Sequence, residues 1–304
     1  MDETTKQLQA YLPSHLLRAA YLAGKIPFRA CQADPRVSYT LYVPEDAYSA
    51  AHEAIQEDRL REHDRLSLVV NIHGTRREAQ LCRDSLIKYA DQHDCAILAP
   101  LFPAALDGPL DLDSYKKLRS RSLKSDEVLL SIIEEVQQLW PAIYAEKFTL
   151  LGCSGGGQFV HRFMYLHPER LQRVCVAAPG GTTRVVDMPW PHGTQDLEAI
   201  FDGKRMDLEE VRKIEDILII VGLNDRDMDE QAELKQWLHA MARKGATKVA
   251  TGDIPTQSRL QTCKDLQQNW LDNGIQASLE IVPGVAHGYQ GLLPAIITWL
   301  RRGG

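Results

Sequence analysis

Apolar runs rich in β-branched side chains recur after about residue 64, at LSLVVNI (66–72), DCAILAP (94–100), FTLLGC (148–153), RVCVAAP (173–179), DILIIVG (216–222) and ASLEIVP (277–283). Each has the length of a strand, and together they predict a sheet buried on both faces. SYTLYVP (38–44) alternates instead, which predicts an antiparallel edge strand. Between the runs the apolar spacing lengthens to three and four. Residues 122–140 repeat Val128, Leu129, Ile132, Ile133, Val136 and Leu139 at helical spacing, with acidic residues near the start, where a helix dipole favours them. A second helix is predicted over 255–274, stopped by Asn273-Gly274, and a third over GQFVHRFMYLHPER (157–170). Strands alternating with helices predict an α/β fold in one domain over 1–304, a mainly parallel, doubly wound sheet with helices on both faces.

One stretch breaks the alternation. From Thr182 to about Arg212 there is no clear strand, and two prolines flank Trp190. An insertion of this size after a central strand can cover the C-terminal edge of the sheet, where α/β proteins bind ligands. Segment 182–212 is therefore a candidate lid, with Trp190 and Phe201 as apolar walls of the pocket. The first thirty residues carry no pattern that assigns them.

Composition narrows the partners. With 304 residues, 44% of them hydrophobic, the chain can fill a large core. A formal charge of −6 argues against nucleic acid as a partner, although Arg-Arg occurs at Arg76-Arg77 and Arg301-Arg302. The N-terminus begins acidic without an uninterrupted apolar stretch, and no segment reaches the length of a membrane span, so the chain is predicted to be soluble and cytoplasmic. The six cysteines are scattered without C-x-x-C or metal-ligand spacing, which predicts buried free thiols. Nothing in the pattern indicates an oligomeric state.

The chemistry gathers at the ends of the predicted strands. Gly152-Cys153-Ser154-Gly155-Gly156 lies between a strand and a helix, the setting of a nucleophile elbow. There the serine takes an unfavourable backbone conformation, and a Cβ at Gly152 or Gly156 would strike the adjoining backbone. Gly155 and Gly157 are expected to let a substrate approach closely. A serine hydroxyl needs a base. His287, in the loop after the last strand, is the candidate, whereas His161 and His167 fall on the helix after the elbow. An acid to orient that base is offered by Asp225, Asp227 and Asp229 after the strand before it. Asp225 is preferred on reach, lying three residues after Gly222, while the other two fit the first turn of a following helix. Read as a calcium loop, this stretch lacks the glycine at its sixth place. His73-Gly74-Thr75 ends an early strand, where the Thr75 amide, with that of Gly155, would hold an oxyanion. His73 itself is expected to support the loop.

With those residues in view, the chain resembles the α/β-hydrolase superfamily from about Ser38 to Trp299, including the order Ser154, Asp225, His287. NIHGTRREAQLCRD, LAPLFP, GCSGGGQFVHRFMYLHPERL, PWPHG and VPGVAH resemble, more narrowly, intracellular esterases similar to polyhydroxybutyrate depolymerases. The resemblance implies a serine-dependent acyl-enzyme mechanism with no metal and no organic cofactor, acting on a small-molecule ester, thioester or lactone. Gly74, Arg76, Trp190 and Phe201 are the candidate substrate contacts. Arg76 departs from the smaller residue expected near the oxyanion loop, and a charge there would favour acidic acyl or leaving groups. A peptidase or acyltransferase would use the same triad, and a ligand receptor can be built on the same fold.

Overall fold

The apolar runs become the strands of a nine-stranded sheet in the computed structural model, which describes residues 12–225 and 258–302 together with Trp237 and Ala240. The strands are β1 (Gly24–Lys25), β2 (Arg29–Ala30), β3 (Ser38–Val43), β4 (Ser67–Ile72), β5 (Cys95–Leu101), β6 (Phe148–Cys153), β7 (Leu171–Ala177), β8 (Asp216–Gly222) and β9 (Ser278–Val282). Their order is β1-β3-β5-β4-β6-β7-β8-β9, with β2 pairing β3. From β5 to β9 every pairing is parallel, while β3 runs antiparallel to β5. β3 is thus antiparallel as its alternation predicts, but it is not the edge, because β1 and β2 pair along it. Those two strands have two residues each, too few for a period to register.

Nine α-helices lie among the described residues: α1 (Glu45–Gln56), α2 (Ala79–Asp84), α3 (Ile87–Gln92), α4 (Ser125–Leu139), α5 (Gly155–Leu166), α6 (Leu197–Ile200), α7 (Leu208–Arg212), α8 (Arg259–Asp272) and α9 (Tyr289–Arg301). All six residues of β6 are buried, which requires cover on both faces of the central sheet. α5 packs on β6 and β7, and α8 on β8 and β9. α4 buries Val128, Leu129, Ile132, Ile133, Val136 and Leu139 as its spacing predicts. Its acidic start does more than complement a dipole: Asp126 is fully buried, 3.0 Å from Arg119 and 3.1 Å from His167. α8 ends where Asn-Gly predicts, and Gly274 takes φ +74° beyond its C-cap.

Segment 182–212 runs between β7 and β8, holds only the short helices α6 and α7, and is sewn to the body. The Thr183 amide donates to His161 Nε2 at 2.9 Å, and Arg162 Nε donates to the Thr183 hydroxyl at 2.9 Å. The Val185 amide donates to Asn269 on α8 (2.7 Å). Asp202 lies 3.2 Å from Arg119 and 2.9 Å from Lys124.

His161 is fully buried between the Gly157 carbonyl and the Thr183 amide, and that burial pushes its pKa down to about 3. An unfolded histidine titrates near about 6.5. Between those values the unfolded chain binds a proton that the folded chain excludes, so stability is lost as pH falls below the unfolded value. The slope for one such group is about 1.4 kcal/mol per pH unit. Urea denaturation at pH 7, 6 and 5 should show this decline, and in His161→Gln the decline should be shallower by about that slope, whatever the variant costs at pH 7. An unchanged slope would mean that the folded chain protonates His161 as readily as the unfolded chain does.

Candidate active site

The end of β6 turns sharply into α5, and Ser154 sits in that turn at φ 58°, ψ −113°. A non-glycine residue holds such a conformation only where its surroundings over-determine it. Here the Ser154 amide donates to the Ala177 carbonyl at the end of β7 (2.9 Å), and its carbonyl accepts from Gln158 one helical turn on (3.1 Å). The elbow is crowded from below, since a Cβ on Gly156 would lie 2.1 Å from the Ile72 carbonyl oxygen and one on Gly152 would lie 2.7 Å from Gly156. Gly157 serves the same packing and is not an opening for substrate, because its Cβ would lie 2.7 Å from the Ala177 carbonyl oxygen.

His287 reaches the serine from the loop between β9 and α9. Its Nε2 is 3.1 Å from Ser154 Oγ, and its Nδ1 is 2.8 Å from Asp225 Oδ2. Nδ1 therefore donates to the carboxylate and Nε2 is left to accept from the hydroxyl. The loop carrying Asp225 and the loop carrying His287 are joined directly: Leu223 donates to the Val282 carbonyl and Asn224 to that of Val285, each at 2.9 Å. Tyr289, two residues after His287, ties the start of α9 to Asn71 and Ser85 through its hydroxyl, at 2.8 Å to each. Of the three candidate acids, Asp225 is the one within reach of His287 among the described residues; Asp227 and Asp229 lie outside them.

Gly74 to Arg77 forms a tight turn beside the elbow, closed by the Arg77 amide on the Gly74 carbonyl (3.1 Å). That bond leaves the Thr75 amide outside the turn's own pairing, and the Gly155 amide, first in α5, has no acceptor within its helix. The two are neighbours: Thr75 Oγ1 lies 3.1 Å from where a Gly155 Cβ would be, and Ser154 Cβ lies 3.7 Å from where a Gly74 Cβ would be. His73 holds this loop from within the core. Its Nε2 accepts from the Phe102 amide (3.0 Å), its Nδ1 donates to Gly74 (2.7 Å), and burial pushes its pKa down to about 3, so it stays neutral. Arg76 is exposed, whereas Arg77 braces the turn by donating to the Thr75 carbonyl (2.6 Å).

Several neighbours carry no signal in the sequence. Tyr115 and Lys116 come from a 3-10 turn, Ser114–Lys117, and both crowd Gly155: the Tyr115 hydroxyl and Lys116 Cε would lie 2.5 and 2.6 Å from a Cβ there. Lys116 is buried and pairs with Asp113 at 2.5 Å. Arg259, the first residue of α8, lies 3.2 Å from the Asp225 oxygen that His287 does not use. A buried charge is rarely unpaired, but which distant residue supplies its partner is set by the fold alone.

No family model and no curated protein matches the chain in sequence. Solved structures do match in shape. A poly(3-hydroxybutyrate) depolymerase, LpqC, from Bordetella parapertussis superposes with a TM-score of 0.63 at 19% identity, covering 96% of each chain. Poly(aspartic acid) hydrolase-1 from Sphingomonas sp. KT-1 gives 0.60 at 19% identity, over 86% of this chain and 92% of that one. An S-formylglutathione hydrolase from Agrobacterium tumefaciens gives 0.55 at 14%, over 88% of each. The chain has the α/β-hydrolase fold. In this α/β-hydrolase fold the candidate wall residues form one unit: Trp190 meets Phe201 edge to face with centroids 4.9 Å apart, and its indole N–H donates to the Lys117 carbonyl (2.9 Å). Phe201 is fully buried, packed under the Arg119 guanidinium and against Trp190. No helix among the described residues is long and apolar enough to cross a membrane.

The crowding under the elbow is testable in solution. Neither Gly156 nor the Ile72 carbonyl belongs to a flexible side chain, so Gly156→Ala should cost about 3 kcal/mol or more in thermal or urea unfolding, if the protein folds at all. A near-neutral effect would mean that α5 can back away from β4.

Proposed function

We propose that this chain is a serine-dependent carboxylic-ester hydrolase acting on a small-molecule ester, thioester or lactone. The observation that carries the reading is the chain of contacts from Ser154 Oγ through His287 to Asp225, at 3.1 and 2.8 Å, on an elbow that holds the serine at positive φ. Shared shape with a poly(3-hydroxybutyrate) depolymerase and an S-formylglutathione hydrolase supports it.

In this reading Ser154 Oγ attacks the acyl carbon while His287 Nε2 takes its proton, and Asp225 stabilises the imidazolium that forms. The carbonyl oxygen becomes an oxyanion held by the amides of Gly155 and Thr75. Collapse expels the alcohol or thiol, which receives the proton from His287 and leaves an acyl-serine. Water, deprotonated by the same imidazole, then attacks the acyl-enzyme and frees the acid and Ser154. No step calls for a metal or an organic cofactor. Segment 182–212 borders the site in this reading, and Trp190 is its substrate-facing residue.

Ser154→Ala should keep its melting temperature and lose roughly 10³-fold or more in kcat on p-nitrophenyl esters. A fluorophosphonate should label the wild type at Ser154 and leave the variant unlabelled. Cys153 beside it is a neutral thiol, its pKa pushed up to about 12 by burial, so label retained by the variant at Cys153 would sink the reading.

Trp190→Ala tests the insertion. A changed ranking of kcat/KM among acetyl, butyryl and octanoyl esters is expected, measured beside the melting temperature. A uniform loss of rate with a large fall in melting temperature would make Trp190 an anchor only.

A further inference from the structure

Asp225 is fully buried, and its two oxygens face two different partners. Oδ2 lies 2.8 Å from His287 Nδ1, and Oδ1 lies 3.2 Å from the Arg259 guanidinium, whose side chain is itself 9% exposed. The elements packed around this pair also carry Cys153 at the end of β6, Cys263 on α8, and Tyr289, whose hydroxyl is bonded to Asn71 and Ser85. All three are kept neutral by burial. Among the described residues, therefore, the fixed charges at this spot are Asp225 and Arg259.

We infer that Arg259 is a positioning residue of the hydrolytic reaction, fixing the Asp225 carboxylate toward His287 and offsetting part of its charge. The inference rests on the serine-hydrolase reading above. Two effects follow from one contact. A carboxylate held at one oxygen cannot rotate about its Cβ–Cγ bond without breaking that contact, so the other oxygen stays aligned with Nδ1. A cation on the far side also offsets part of the negative charge that would otherwise favour the imidazolium. An unmoderated buried carboxylate would hold the proton on His287 more tightly and stop it from accepting the serine proton until higher pH. A purely structural Arg259 would satisfy Asp225 and leave the pH behaviour of the rate untouched.

The test is the pH dependence of kcat/KM on p-nitrophenyl acetate for the wild type, Arg259→Gln and Arg259→Lys, with Ser154→Ala assayed alongside. Glutamine keeps a donor and removes the charge, whereas lysine keeps the charge. In Arg259→Gln the acid limb should move up by about one pH unit, a loss of about tenfold in kcat/KM below the limb and much less above it. In Arg259→Lys the limb should stay where the wild type has it. A pH-independent loss in Arg259→Gln, or a limb that shifts equally in both variants, overturns the assignment. If Arg259→Gln does not fold, Arg259→Met, similar in length and without charge, takes its place: a limb moved up by about one pH unit supports the role of the charge, and a limb left where the wild type has it overturns that role. Activity surviving in Ser154→Ala would overturn the serine reading itself, whereas its loss there together with an unmoved limb in Arg259→Gln overturns only the role given to Arg259.

Discussion

α5 begins so close under the end of β4 that a methyl group on Gly156 would lie 2.1 Å from the Ile72 carbonyl oxygen. Much of the site follows from that approach. It brings the elbow against the strand whose next residues are His73, Gly74 and Thr75, so Ser154 and the turn from Gly74 to Arg77 are held by one backbone contact. It also makes the turn into α5 abrupt, which leaves Ser154 at positive φ. The Ala177 carbonyl, accepting from the Ser154 amide, adds β7 to the same clamp. Three neighbouring parallel strands thus fix the serine before any side chain of the site is considered.

The second half of the site is assembled by a similar approach further along the sheet. A Cβ on Gly222 would lie 2.2 Å from the Val285 carbonyl oxygen, so β8 and the loop after β9 leave the sheet in contact. Asp225 and His287 are carried on those two departures. The two side chains are therefore aligned by backbone hydrogen bonds between their loops and not by side-chain packing alone.

The residues that could be read from the sequence are those whose place is set by local pattern. β6 and β8 fall on the predicted runs FTLLGC and DILIIVG residue for residue, because a strand buried on both faces is a continuous apolar run. Ser154, Asp225 and His287 could be chosen because each follows such a run within a few residues, and the structure brings the three together. β1 and β2 were hidden by their length. Tyr115 and Arg259 were hidden for another reason: each owes its position to a contact made across the fold, 42 residues in the bond from Tyr115 to His73 and 34 in that from Arg259 to Asp225. Gly157, which looks like room for a ligand in the sequence, is spent on helix-to-strand packing.

Segment 182–212 is bonded to α5, α8 and the turn at Lys117 through Thr183, Val185 and Trp190. Loops that close over a ligand have to be ordered when it binds, and the lost conformational freedom weakens affinity. Here the segment is held to the body by those hydrogen bonds. Under the proposed function a ligand would meet these bonds already made, so little ordering entropy would be lost in this segment, and a change of preferred ligand would come from substituting Trp190 and not from rearranging a hinge.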